Sequence, residues 1–319
     1  MKKKALISGV SGQDGAYLAR FLLGKGYEVY GTSRDAQLSR FDNLKKLGVS
    51  DRVKKFSMIL TDFRSVLSVL KKVNPDEIYN LAGQSSVSLS FEQPVETLES
   101  VSLGVLNLLE SIRFMESDIK LYNAGSSECF GDTPDEPANE ETLFRPKSPY
   151  SVAKAAAFWQ VANYRDAYGL KACTGILFNH DSILRPERFV TKKIILAACR
   201  IKNGSKEKLH LGNINIIRDW GWASEYVEAM WRMLQRDDLN DYVIATGDSY
   251  SLKDFVEYAF YQVGLNWEDY VLLDDDFLRP SDIYVSRANP SKANSELGWM
   301  AKNKMKDIVD LMINDCLSV

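Results

Sequence analysis

The sequence predicts an α/β protein built on a doubly wound parallel sheet, and three observations predict it. Short apolar runs alternate with amphipathic helical stretches through the first half of the chain, the pattern of successive strand-helix-strand units. A glycine-rich turn, Gly9-Val-Ser-Gly12-Gln-Asp-Gly15, stands directly after the first apolar run and opens a helix. The composition is that of a globular chain, 319 residues with 45% hydrophobic and 26% charged, long enough to bury one large core or two.

Strands are read at 5–8, 28–33, 53–57, 77–81, 121–124 and 172–177, with helices at 17–25 and 97–113 where apolar residues recur at helical spacing. Crossovers of this kind are right-handed and place helices on both sheet faces. After Asn179 the periodicity is less regular, until 242–247 reads as one more strand leading to a helix. The expected division is a first lobe of residues 1–179 plus about 241–264, and a smaller, discontinuous α/β lobe of about 180–240 plus 265–319. No internal repeat or low-complexity tract interrupts the chain.

Charge narrows the partners. Forty Lys and Arg against 43 Asp and Glu leave a net charge of −3, which supplies no broad cationic surface for nucleic acid or an anionic membrane. Apolar runs such as 194–199 fall far short of the roughly 20 residues a bilayer span needs. The basic start, Met1-Lys-Lys-Lys4, lacks the apolar stretch of a signal peptide, because glycines, Gln13 and Asp14 break it, and a cytoplasmic location is expected. Cys129, Cys173, Cys199 and Cys316 are far apart in sequence, with only His180 and His210 to assist, so neither a disulfide framework nor a metal site is expected.

The glycine turn has the layout of a dinucleotide site. Gly9 permits the tight turn, Gly12 lets backbone approach a pyrophosphate, and Gly15 lets the helix pack close to the strand, with the helix N-terminus facing the phosphates. A tight turn without a ligand remains the alternative at this point. The second strand ends Tyr30-Gly-Thr-Ser-Arg34 rather than on a carboxylate, which suits the 2′-phosphate of NADP; NAD stays open because Asp35 follows.

Tyr150-Ser-Val-Ala-Lys154 opens a helix just after Ser148-Pro149. Residues four apart share a helix face, so the Lys154 ammonium can sit beside the Tyr150 phenol and favour the phenolate, a proton acceptor. After the fifth strand comes Gly125-Ser126-Ser127-Glu128-Cys129, in the kind of loop where parallel sheets place their chemistry. A serine hydroxyl there can hold a substrate hydroxyl and a carboxylate can move a second proton. Turn formation and a solvated carboxylate are the alternatives for these residues taken alone.

The combination of Gly12-Gln-Asp-Gly15, Ser126-Ser-Glu128, Ser148-Pro-Tyr-Ser-Val-Ala-Lys154 and Gly175-Ile-Leu-Phe-Asn-His180 resembles extended short-chain dehydrogenases, and among them the GDP-mannose 4,6-dehydratase family. The likeness continues through Arg188-Phe-Val-Thr-Lys-Lys193, Arg218-Asp-Trp-Gly221, Tyr226-Val-Glu-Ala-Met-Trp231 and Leu278-Arg-Pro280, essentially the whole chain. The resemblance implies a Rossmann-like dinucleotide lobe beside a nucleotide-sugar lobe, and a redox-neutral dehydration. Tyr150 takes the proton of the sugar 4-hydroxyl, which Ser126 holds, as hydride passes to NADP. Glu128 then removes the carbon 5 proton and helps water leave from carbon 6, where the hydride returns. By the same likeness Gly9, Gly12, Gln13, Asp14, Gly15, Arg34, Leu81, Ala82, Tyr150 and Lys154 face the cofactor. Ser85, Ser127, Asn179, Val190, Lys193, Arg218, Arg279 and Asp282 face a GDP-sugar, with Asp282 placed to accept from ribose or guanine. Each basic residue could instead be a surface charge. The family also implies a homodimer or homotetramer.

Departures from the family pattern are specific. Ser126 stands for the usual threonine, Met58-Ile-Leu60 for Gly-Asp-Leu, Arg34-Asp35 for an arginine pair, and Asp181 for a glutamate, with Asp62 the nearest replacement for the missing aspartate. GDP-mannose, a GDP-heptose and a GDP-N-acetylhexosamine all stay open. So does an NADPH-dependent GDP-4-keto-6-deoxy-sugar reductase or epimerase: a simple 4-keto reductase would not need the carbon 5 base, whereas an epimerase-reductase resembling GDP-fucose synthase would carry cysteine in place of Glu128. A non-catalytic nucleotide-binding module is the remaining alternative, and retention of Ser126, Glu128, Tyr150 and Lys154 counts against it.

Overall fold

The computed structural model describes residues 2–318. The chain opens with β1 (Lys4–Ser8), α1 (Gln13–Gly24) and β2 (Glu28–Ser33), then α2 (Asp42–Lys46), β3 (Lys54–Ser57), α3 (Phe63–Val73) and β4 (Glu77–Asn80). There follow α4 (Val87–Glu92), α5 (Pro94–Leu98), α6 (Gly104–Phe114), β5 (Lys120–Ala124), α7 (Pro149–Tyr168) and β6 (Ala172–Leu177). Beyond these come β7 (Asn179–Asp181), α8 (Val190–Lys202), β8 (Leu209–Leu211), β9 (Ile217–Trp222) and α9 (Ala223–Leu234). The chain continues with β10 (Tyr242–Ile244), β11 (Ser249–Ser251), α10 (Leu252–Gln262) and β12 (Val271–Leu273), and closes with α11 (Ser291–Leu297) and α12 (Met305–Leu317).

Seven strands form one parallel sheet in the order β10-β6-β5-β4-β1-β2-β3. The order reverses at β1, which pairs with β2 on one side and β4 on the other, so the crevice beyond its carboxyl end is where such sheets bind ligands. Every residue of β4 and β6 is buried, as strands covered on both faces require. Leu18, Leu22, Val227 and Met230 of α1 and α9 cover one face, while Val66, Leu70, Leu108, Leu109 and Val161 of α3, α6 and α7 cover the other.

A second core joins α8, α10 and α12 through Ile194, Ile195, Phe255, Val256, Ile308, Val309 and Met312. It supports a three-stranded sheet, β11-β9-β7, and the parallel pair β12-β8. Two placements differ from the sequence expectation. Strand β10 joins the large sheet, but α10 does not return with it: Phe255, Val256, Ala259 and Phe260 are apolar on the face that meets α8 and α12. Conversely α9 packs on α1 although it lies within 180–240, because Val227, Met230 and Met233 continue the α1 core. Amphipathic spacing marks both helices without saying which core receives them.

The helix expected at 97–113 is longer and interrupted, since a π-helical turn at Glu99–Leu103 links α5 to α6. Helix α7 is fixed at both ends. Ser148 and Ser151 cap each other's backbone amides, Pro149 stands at the first position, and Gly169 closes the helix at φ 67°. A cap of this kind is worth about 1 kcal/mol.

Candidate active site

A cleft of about 400 Å³ opens at the carboxyl ends of β1, β4, β5 and β6, between the two cores. Asp14, Leu81, Ser85, Ser126, Ser127, Glu128, Tyr150, Lys154, Asn179, Val190, Lys193, Arg218, Arg279 and Asp282 line it, bringing together fourteen of the sequence-predicted positions. Gly9, Gly12, Gln13, Gly15, Ala82 and Arg34 stand outside that lining.

The glycine turn lies next to the cleft and reaches its lining only through Asp14. Gly9 has φ +77°, and a Cβ there would meet the Leu81–Ala82 backbone at 3.0 Å, so strand end and turn touch. At Gly15 a Cβ would lie 2.4 Å from the Gly9 carbonyl oxygen and 2.7 Å from the Val10 Cα, which glycine alone avoids. Gly12 is the N-cap of α1, and no side chain caps that end, leaving amides directed outward. Turn, helix end and Leu81 together fit a dinucleotide pyrophosphate. The Gln13 and Asp14 side chains bond to the segment after β6. Gln13 accepts from Ser182 Oγ at 2.8 Å and donates to the His180 carbonyl at 3.3 Å, while Asp14 Oδ2 lies 2.9 Å from His180 Nε2.

Just beyond β2, Arg34 is 87% exposed at its side chain, with one long ion pair to Glu96 at 3.9 Å. Asp35 turns its carboxylate back onto the amides of Gln37 and Leu38, at 2.8 and 3.1 Å. Asp62 caps α3 by accepting from the Arg64 amide, so its carboxylate is already engaged.

The catalytic candidates converge from two elements. Ser126 closes the end of β5 and accepts from the Glu128 amide at 3.3 Å, the first bond of a short 3-10 turn over Ser127–Cys129. From α7, Tyr150 is buried, and Lys154 Nζ donates to the Ala124 carbonyl at 2.7 Å while lying 5.8 Å from the Tyr150 ring centre. Burial pushes the Tyr150 phenol up, and the adjacent Ser126 hydroxyl opposes that shift. The sequence expects Lys154 to act on the phenol directly; here its ammonium is turned to the Ala124 carbonyl, and Ser126 is the neighbour that draws the phenol down. Burial lowers Lys154 to about 8.

Glu128 faces the second lobe. Burial raises its carboxyl above the usual carboxylate range, against the pull of Arg218 and Arg279. Among the described residues its side chain has no hydrogen-bond partner, so the group is available to a ligand. Arg218, 5% exposed, donates to the carbonyls of Ile217 at 2.9 Å and Ile283 at 2.7 Å. Its neighbour Asp219 accepts the Thr246 and Gly247 amides at 3.0 and 2.8 Å and anchors β9 to the turn after β10.

Asp282 Oδ1 accepts from Arg218 at 3.4 Å, Arg279 at 3.2 Å and the Ile283 amide at 2.9 Å, so that oxygen holds the two arginines while the residue still lines the cleft. Two guanidinium groups, Arg218 and Arg279, stand beside Glu128 with Asp282 and Asp132 partly balancing them, and such groups suit a diphosphate. Lys193 donates to the His210 carbonyl at 2.7 Å and lies 4.1 Å over the Phe277 ring. The sequence reading assigned no role to Arg185, Phe189 or Phe277, all of which line the cleft. Position beyond the carboxyl end of β6 was the available signal for the first two; Phe277 carried none.

Comparison with known proteins agrees with this architecture. The family of GDP-mannose 4,6 dehydratases matches residues 6–312. A GDP-mannose 4,6 dehydratase 1 of Arabidopsis thaliana is 47% identical over 328 residues, covering 100% of this chain and 91% of the relative. A GDP-mannose 4,6-dehydratase of Vibrio cholerae is 40% identical, covering 100% and 95%. Among solved structures, the Thermus thermophilus UDP-glucose 4-epimerase in complex with NAD superposes with a TM-score of 0.87 at 26% identity, covering 99% of each chain. The dTDP-glucose 4,6-dehydratase of Bacillus anthracis in complex with NAD superposes at 0.85 with 18% identity, covering 98% and 96%, a likeness of fold.

Proposed function

The chain belongs to the GDP-mannose 4,6-dehydratase family, and from that premise we propose how its cleft removes water from GDP-mannose to leave the 4-keto-6-deoxy sugar. The observation that carries the assignment of roles is Glu128, an unpartnered carboxylate in the same cleft as Tyr150 and Ser126 and facing two arginines. A simple ketoreductase on this scaffold has no use for that group.

The glycine turn, Leu81 and Lys154 would hold a nicotinamide dinucleotide, which when bound would supply a reversible hydride acceptor. Ser126 orients the sugar 4-hydroxyl, and Tyr150 takes its proton. The resulting ketone acidifies carbon 5. Glu128 removes that proton and delivers a proton to the departing 6-hydroxyl, a role suited to a carboxyl whose affinity for protons burial has raised; the deoxy sugar then requires the hydride lost from carbon 4 to be added at carbon 6 and a proton at carbon 5. Arg218 and Arg279, held by Asp282, receive the diphosphate, with Lys193, Asn179, Val190, Ser85 and Ser127 completing the substrate wall.

NADP is the cofactor this reading favours. Arg34 is free to meet a 2′-phosphate, whereas Asp35, the carboxylate that would hold NAD ribose hydroxyls, is turned onto its own loop. A dimer of like chains is supported by exposed apolar side chains at Val95, Leu98, Leu103, Val152 and Trp159 on the neighbouring α5, α6 and α7 region. Four free thiols favour the reducing cytoplasm, and the two lobes divide where the two cores do.

The test is an incubation with GDP-mannose and catalytic NADP, scored by mass spectrometry. Loss of one water without net NADPH consumption supports the dehydratase; stoichiometric NADPH oxidation with a 4-keto sugar would establish the reductase instead.

A further inference from the structure

The His180 ring lies between two oxygens, the Phe178 carbonyl, which can only accept, and the Asp14 carboxylate, which can only accept when ionised. Its Nδ1 is 2.8 Å from the Phe178 carbonyl oxygen and its Nε2 is 2.9 Å from Asp14 Oδ2. A neutral imidazole carries one ring hydrogen and can serve only one of them. Both bonds are made at once when both ring nitrogens are protonated and Asp14 is ionised.

This pair belongs to a wider latch. Gln13 Nε2 reaches both Asp14 Oδ1 at 3.0 Å and the His180 carbonyl at 3.3 Å. Gln13 Oε1 accepts from Ser182 Oγ at 2.8 Å, and Ser182 Oγ accepts from the Leu184 amide at 3.1 Å. The His180 ring also stacks on Tyr226 of α9, with centres 4.5 Å apart. The first turn of α1 is thereby bonded to the segment after β6, although 166 residues separate Asp14 from His180.

We infer that Asp14 and His180 form a partly buried carboxylate–imidazolium latch that holds the glycine turn against the strand carrying Asn179, and so act as positioning residues for hydride transfer. The inference rests on the dehydratase reading for its functional half, because that reading puts the dinucleotide on the turn and the sugar against Asn179. Hydride transfer tolerates little displacement between the two.

The charged surroundings are consistent with a resident cation. Asp14 faces the ring from α1, with Tyr122 of β5 and Lys154 of α7 beyond it. Asp181 and Arg185 lie on the ring's own segment, and Tyr226 covers its face. Burial works against the charged ring, but the Asp14 charge and the two hydrogen bonds outweigh it and raise the His180 pKa. Burial likewise works against ionised Asp14, and His180 outweighs it and holds that carboxyl below its usual range.

The chain contains only two histidines, His180 and His210, so ¹⁵N-histidine NMR of the NADP-loaded protein reads the pair directly, with His210→Asn assigning the signals. The expected result is a His180 ring with both nitrogens protonated at about pH 8, well above the ordinary histidine pKa of about 6.5. One bare ring nitrogen there would overturn the latch. In a second arm, Asp14→Asn, which can still bond a neutral ring, should lower kcat by on the order of tenfold or more and leave KM within about twofold. An unchanged kcat overturns the positioning role. The NMR result stands whether or not the variant folds and whether or not GDP-mannose is dehydrated, so failure of the latch and failure of the functional reading are distinguishable.

Discussion

Lys154 Nζ donates a 2.7 Å hydrogen bond to the carbonyl oxygen of Ala124, tying the second turn of α7 to the end of β5. The bond joins the helix that presents Tyr150 to the loop that presents Ser126 and Glu128, so one ammonium fixes the spacing of all three. Burial lowers this lysine to about 8, so the ammonium is present below about pH 8 and is lost as the pH rises through that value. The kcat profile of the wild-type protein should therefore decline above about pH 8. Lys154→Met keeps the stem but not the charge, and should cost about 10²-fold or more in kcat.

Tyr150→Phe removes the hydroxyl assigned to the first proton transfer and leaves the ring in its buried seat. The expected loss is about 10²- to 10⁴-fold in kcat, with the earliest observable step, transient NADPH absorbance, suppressed. A normal rate of that transient would remove Tyr150 from the role.

Cofactor preference tests the adenosine end. Arg34→Ala should weaken NADP binding by on the order of tenfold and change NAD binding little, since an exposed charge facing a phosphate is screened by solvent. Equal losses for the two cofactors, measured by titration calorimetry, would show that Arg34 does not read the 2′-phosphate.

Trp159 is 62% exposed on α7, beside Val152 and the apolar residues of α5. Trp159→Glu places a charge in the face read as the contact between like chains. The variant should elute as a monomer with an unchanged circular dichroism spectrum, whereas an unaltered molar mass by light scattering would move the interface elsewhere.

Local spacing made the sheet and half of the site legible. The glycine turn and Tyr150-x-x-x-Lys154 occupy a few residues each, and their placement follows from turn and helix periodicity, although periodicity did not show that the Lys154 ammonium bonds to the Ala124 carbonyl. Lobe membership was less legible: α10 and α9 each present an amphipathic face, and only the tertiary core decides that the first meets α8 and α12 while the second meets α1. The same limit hid the engagement of Asp282 by Arg218, 64 residues distant, and that of Asp14 by His180. In both cases a side chain whose type suggested ligand binding is already bonded within the protein. The Glu99–Leu103 π-helical turn left no mark in the apolar spacing.

Glu128 tests the account most directly. Glu128→Gln keeps the side-chain volume and removes the carboxylate, so fold and cofactor binding should be retained, as verified by melting and NADP titration. With GDP-mannose as substrate, the account predicts that release of the water-lost product falls by on the order of 10²-fold or more. Near-normal dehydration by this variant, followed by mass spectrometry, would contradict it.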